Sequence, residues 1–179
     1  MSTPKAQLSK PGSDEYAPYY EQYIALLPAT DVITTLATQM ATTRALLDSI
    51  DEAKAGHRYA ADKWSIKELV GHLIDGERVF AYRAMRFARN DQTSLNGFEQ
   101  DDYVANGEFD SRLLADLAAE FEHLRRSTIL FFQGLSDEAW TRRGTANDTP
   151  VSVRAIAHII AGHEVHHIGI LKTRYLAGS

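Results

Sequence analysis

The sequence predicts an all-α fold, a four-helix bundle with a long loop between the second and third helices. Four long stretches repeat apolar residues at three- and four-residue intervals, the spacing of one buried helix face. Nowhere does hydropathy alternate with period two for long enough to argue a strand. One short and two longer links join the four stretches, which suits a bundle.

Residues 1–14 hold two prolines, a glycine and few apolar groups, so they are expected to be a disordered leader. Residues 15–179 then form a single bundle domain, a length that buries a substantial core without staples. An aromatic segment, YAPYYEQYIALLP, ends at Pro28. The first long helix is expected from about Asp31 to Ala53, with Ile33, Leu36, Met40, Leu47 and Ile50 on its buried face. The second opens at WSIKELVGHL, where Ser65 and Glu68 have the spacing of a capping box, and reaches about Arg89. Its stripe is Ile66, Leu69, Leu73 and Phe80. Residues 90–110 form a loop with one short helical turn. A loop that long is uncommon in a compact domain and is often functional. Asp101, Asp102 and Tyr103 make it a candidate lid or pocket wall, with Trp64 and Arg125 as further candidate lining residues. The third helix spans about Ser111 to Gln133, and Gly134 is suited to end it. The fourth runs from about Val151 to Leu176.

Composition excludes several classes of function. A net charge of −5 and no basic stripe argue against nucleic-acid binding. With no cysteine, disulfides, thiolate metal sites and cysteine nucleophiles drop out together. No run approaches the roughly eighteen apolar residues of a membrane span, and the N-terminus lacks a signal-peptide core. The expectation is a cytoplasmic protein acting on a small molecule.

Three of the seven histidines fall within AGHEVHHIGIL, residues 161–171. The buried stripe of the fourth helix follows Val153, Ile156 and Ile160 and then meets His163 and His167. Residues at i and i+4 share a helix face about 6 Å apart, close enough for both imidazoles to reach one ion. Buried without partners they would be costly; a metal or ordinary hydrogen bonds would each satisfy them. His72 borders the Leu69–Leu73 stripe of the second helix and is either a third ligand or a core histidine bonded to a carboxylate. Gly71 and Gly76 flank it at a cost of about 1 kcal/mol each relative to Ala, as if room were needed there. His166 borders the same face as a residue around the ligands or a pocket wall. His158, His57 and His123 read as structural or solvated. Asp75, Glu77 and Glu164 are either acceptors for a ligating imidazole's free N–H or solvent-facing charges.

Four segments resemble the DinB superfamily, the DinB/YfiT-like metalloenzymes. They are WSIKELVGHLIDGERVF at 64–80, GFEQDDYV at 97–104, LLADLAAEFEHLRRSTILFFQGLSDEAW at 113–140 and TPVSVRAIAHIIAGHEVHHIGIL at 149–171. Carried over residue by residue, the resemblance implies a metal triad of His72, His163 and His167. His166, Glu77 and Asp101 are then candidates for the surrounding pocket. It further implies a homodimer, and a divalent metal such as zinc or nickel that activates a low-molecular-weight thiol for S-transfer. A metal-dependent hydrolase and a non-catalytic metal-binding or stress-related bundle are the alternatives.

Overall fold

The computed structural model describes residues 9–177. Its long helices are α1 (Val32–Asp48), α2 (Ile66–Ala88), α3 (Leu114–Gln133) and α4 (Val153–Ile170). Their order around the bundle is not their order in the chain. α1 and α2 each pack against α3 and α4, so α1 and α2 stand at opposite corners. No described helix is long and apolar enough to cross a membrane.

Local chemistry sets the helix ends. The Asp31 carboxylate caps α1 by accepting from the N–H groups of Ile33 and Thr34. That helix stops at Asp48, short of the expected Ala53, because Ser49 turns its N–H and hydroxyl back onto the Leu46 carbonyl. A separate turn, Glu52–Ala55, follows. The capping box of α2 is present: Ser65 Oγ accepts from Glu68 N–H at 3.0 Å, and Glu68 accepts from Ser65 N–H at 2.8 Å. α3 starts at Leu114 because residues 109–111 form a 3₁₀ turn. α4 does not run on as a regular helix to Leu176; Leu171–Tyr175 widen into a π turn.

Two short strands, which the sequence pattern did not announce, accompany the all-α bundle. β1 (Arg143–Ala146) and β2 (Thr149–Ser152) pair antiparallel, and Asn147 and Asp148 both adopt positive φ in the two-residue turn between them. Such turns match strand twist and favour Asn and Asp. Four residues per strand is too short for alternation to declare itself. Leu95 pairs with this hairpin, and its carbonyl accepts from Asn147 N–H at 2.9 Å. The loop over 90–110 is thus tied at its start. Its far end is held by Phe109, buried against Gly71, where a Cβ would come within 2.4 Å of the ring. Between the ties lies a short helix, Gln100–Asn106.

The leader expectation also changes. Residues 1–8 lie outside the described residues, but residues 9–14 are docked rather than disordered. Arg154 donates to Ser9 Oγ, Arg143 donates to Asp14, and the adjoining Glu15 is buried against Arg154 and Ser152. Low local hydropathy is offset here by these arginine and serine donors.

Two apolar clusters fill the bundle. One gathers Leu36, Phe80, Phe87, Phe132, Trp140 and Ile156; the other gathers Leu47, Ile66, Leu69, Leu117, Phe121 and Leu171. These pairings mean that α1 and α4 run one way and α2 and α3 the other. A buried polar layer lies in the same bundle, and it contains the site.

Candidate metal centre

Because α2 and α4 are antiparallel neighbours, His72 of α2 meets one turn of α4 from the side. That turn carries His163 and His167 on its inward stripe. His72, His163 and His167 are 3%, 6% and 9% exposed. Their Nε2 atoms converge: His72 lies 2.9 Å from His163 and 3.2 Å from His167, and one nitrogen of each lies within 4.8 Å of the others. Gly76 leaves the room, since a Cβ there would come within 3.3 Å of His163 Cε1.

The arrangement fits a divalent cation. An imidazole Nε2 carries either one hydrogen or one in-plane lone pair, so His72 can make one good bond and not two. An ion accepts all three lone pairs together. Ligand–ion bonds of about 2.0–2.1 Å at a tetrahedral centre would place two nitrogens about 3.3 Å apart, close to the separations found. Burial brings the pKa of His72 down to about 4 and that of His167 to about 3. It pushes His163 well below the usual histidine range, with neighbouring imidazoles and Arg125 acting the same way. The rings are therefore neutral near pH 7, as metal ligation requires. Three such ligands would leave further coordination open on an ion held there.

Beside the histidines one side chain from each long helix joins a buried network. Arg125 of α3 donates to both oxygens of Glu77 on α2 and, at 2.5 Å, to Glu164 on α4. Thr43 of α1 donates to the other Glu164 oxygen at 2.6 Å. Burial alone would lower the Arg125 pKa; the two carboxylates more than reverse that. Glu77 and Glu164 are accordingly not solvent-facing charges. Asp75 is half-buried beside Arg78. Glu77, Arg125, Glu164 and His163 border one small enclosed void.

Two clefts reach the histidines from different sides. One, of about 350 Å³, exposes His72 and His163 between the Tyr19–Tyr23 segment and residues 98–101. The other, of about 300 Å³, exposes His167 among Trp64, Tyr59 and Tyr175. Asp101 lines both. Aromatic rings box the imidazoles: Trp64 lies 4.7 Å from His72, and Tyr23 lies 5.4 Å from His163, centroid to centroid. His166 stands outside the converging trio and packs edge-on against Tyr23 and His167. His158 Nδ1 donates to the Arg154 carbonyl, His123 Nδ1 donates to the Ala119 carbonyl, and His57 lies exposed near Tyr175. Asp102 and Tyr103 are exposed and line neither cleft. The sequence reading missed Tyr19, Tyr20 and Tyr23. Their segment, helical over Glu21–Ile24, is placed by Gly162 on α4, where a Cβ would come within 2.3 Å of the Tyr23 carbonyl oxygen.

A model of the DinB superfamily matches residues 35–171. Among solved structures, YfiT from Bacillus subtilis, a four-helix bundle of unusual topology, gives a TM-score of 0.67 at 13% identity. That match covers 89% of this chain and 87% of YfiT. The mycothiol-dependent maleylpyruvate isomerase gives 0.65 at 15% identity, covering 81% of this chain and 61% of the isomerase. This chain therefore spans about three fifths of the isomerase's length. No curated protein matches the sequence. Identities this low show the fold alone, whereas the family model spans most of the chain, including all three converging histidines. The chain belongs to the DinB superfamily.

Proposed function

We propose that the protein is a metal-dependent thiol S-transferase, with His72, His163 and His167 holding a divalent ion, zinc or nickel by donor type. The convergence of three neutral imidazole nitrogens at the meeting point of two clefts carries this reading. When bound, the ion supplies Lewis acidity that lowers the pKa of a thiol placed beside it. The chain has no cysteine of its own, so the thiol comes from a low-molecular-weight cofactor. In the transfer, the thiol loses its proton to solvent, its sulfur forms a bond to an electrophilic carbon, and the leaving group departs with its electron pair.

The protein's own residues do the rest. The histidines stay unprotonated at neutral pH, and the Thr43, Glu77, Arg125 and Glu164 network ties the four helices around them. Trp64, Tyr23 and Phe80 shield the reacting groups from bulk water. Two clefts suit a reaction with two organic reactants. Likeness to YfiT, described as a probable metal-dependent hydrolase, favours a second reading in which water takes the place of the thiol.

The test measures metal content and thiol conjugation of untagged protein side by side, with monochlorobimane as electrophile and a panel of biological thiols. The expected result is about one ion per chain and conjugation that His163→Ala abolishes along with the ion. Bound metal without turnover of any thiol, but with ester or amide hydrolysis, moves the assignment to the hydrolase.

A further inference from the structure

The larger cleft carries two acids on its rim. Glu99 and Asp101 stand on its rim, and among the described residues neither has an ion-pair partner. No Lys or Arg lines this cleft. Its floor is His72 and His163, each more than nine-tenths buried with its ring nitrogen directed to the shared point.

The opposite wall is aromatic. Tyr19, 60% exposed, meets Tyr20 and Tyr23 edge-to-face with centroids 5.4 and 5.8 Å apart. Phe80 and Phe98 complete the wall, but Arg83 already lies 5.9 and 5.8 Å from their centroids and borders a separate small pocket behind them. Arg83 also reaches the Tyr20 hydroxyl, so the rings left for a ligand are Tyr19 and Tyr23, which share about 350 Å³ with two unpaired carboxylates. Aromatic faces and carboxylates both attract ammonium groups, and both disfavour a carboxylate ligand. A bound divalent ion would oppose this, but the buried network carries one more carboxylate than guanidinium, and an ionised thiol offsets the ion further.

We propose that this cleft is a subsite for an amine-bearing reactant, whose ammonium group sits between the Tyr19–Tyr23 wall and the Glu99 and Asp101 carboxylates. This rests on reading the histidine trio as the reacting centre and specifies which of two reactants lies over its His72–His163 side.

Calorimetric titration of metal-free protein in about 0.15 M salt, which screens general surface attraction, tests it with a matched pair of probes. Phenethylamine should bind at least ten-fold more tightly than 3-phenylpropionate. The double substitution Glu99→Gln with Asp101→Asn should weaken the amine at least ten-fold. Asp102→Asn, an exposed neighbour outside the cleft, should leave it unchanged. Equal or tighter binding of the acid, an unaffected amine in the double variant, or no binding of either probe would overturn the subsite. Because the titration needs no ion, a protein that binds the amine normally yet retains no metal would refute the proposed function and leave the subsite standing.

Discussion

Arg125 holds Glu77 through two guanidinium nitrogens at 2.8–3.0 Å, in a place where neither side chain is more than 2% exposed. Such a pair is poor evidence of net stability, because desolvation offsets the attraction, yet breaking it leaves uncompensated buried charge. Arg125→Met should therefore lower stability by about 3–5 kcal/mol, read as a drop in the urea midpoint. Replacing Glu77 and Glu164 by Leu in the same chain should recover most of that loss. If Arg125→Met alone shifts the midpoint no more than a surface change, the network is not under tension from its charges.

Single substitutions should divide the histidines sharply. His72→Gln, His163→Gln and His167→Gln should each cut retained metal at least ten-fold by elemental analysis. His166→Ala and His158→Ala should keep it, since those rings lie outside the converging trio. Metal loss in His158→Ala and retention in His72→Gln would refute the assignment.

Metal-free protein should weaken as pH falls. In the unfolded chain an imidazole takes its proton near pH 6.5, whereas His72 and His167 resist in the fold until about 4 and about 3. Across that window the unfolded chain binds more protons than the native one, so stability rises with pH. The contribution is complete above about pH 7 and drains away on acidification towards pH 4, by on the order of a few kcal/mol. Urea midpoints of EDTA-treated protein at pH 7.5 and 5.5 measure it, and His72→Gln should flatten the difference. A midpoint independent of pH in wild type would contradict the buried, neutral state of the trio.

Gly162→Ala should destabilise by about 1–3 kcal/mol, because its methyl group would collide with the Tyr23 backbone rather than with a movable side chain. The same change at Gly169, where nothing lies within 4 Å, should be neutral or stabilising by up to about 1 kcal/mol through helix propensity. Thermal melts of the two variants make the comparison. Equal melting points would mean that the Tyr19–Tyr23 wall is not seated as described.

The helices and the His163–His167 pair were legible because their signals are local, whereas His72 was assigned through the family resemblance. His163 and His167 interrupt an apolar stripe at a one-turn spacing, while His72 beside Leu69 and Leu73 could equally have been a core histidine. What stayed hidden depends on partners far along the chain. Glu77 looks solvated until Arg125, 48 positions later, is seen to face it. Tyr19 and Tyr23 acquire a role only through a glycine on α4. The β1–β2 hairpin escaped notice because two four-residue strands leave too little pattern. Gly76 makes room for an imidazole as the flanking glycines suggested, whereas Gly71 accommodates Phe109 instead.

The diagonal placement of α1 and α2 has a consequence for how the molecule comes into being. Emerging one after the other from the ribosome, these two helices cannot shelter each other's greasy sides and must wait for α3. His72 waits longer, since its nearest counterpart is synthesised 91 positions afterwards. Folding should accordingly be slower than for a bundle of sequential hairpins, with the histidine pocket among the last parts to assemble.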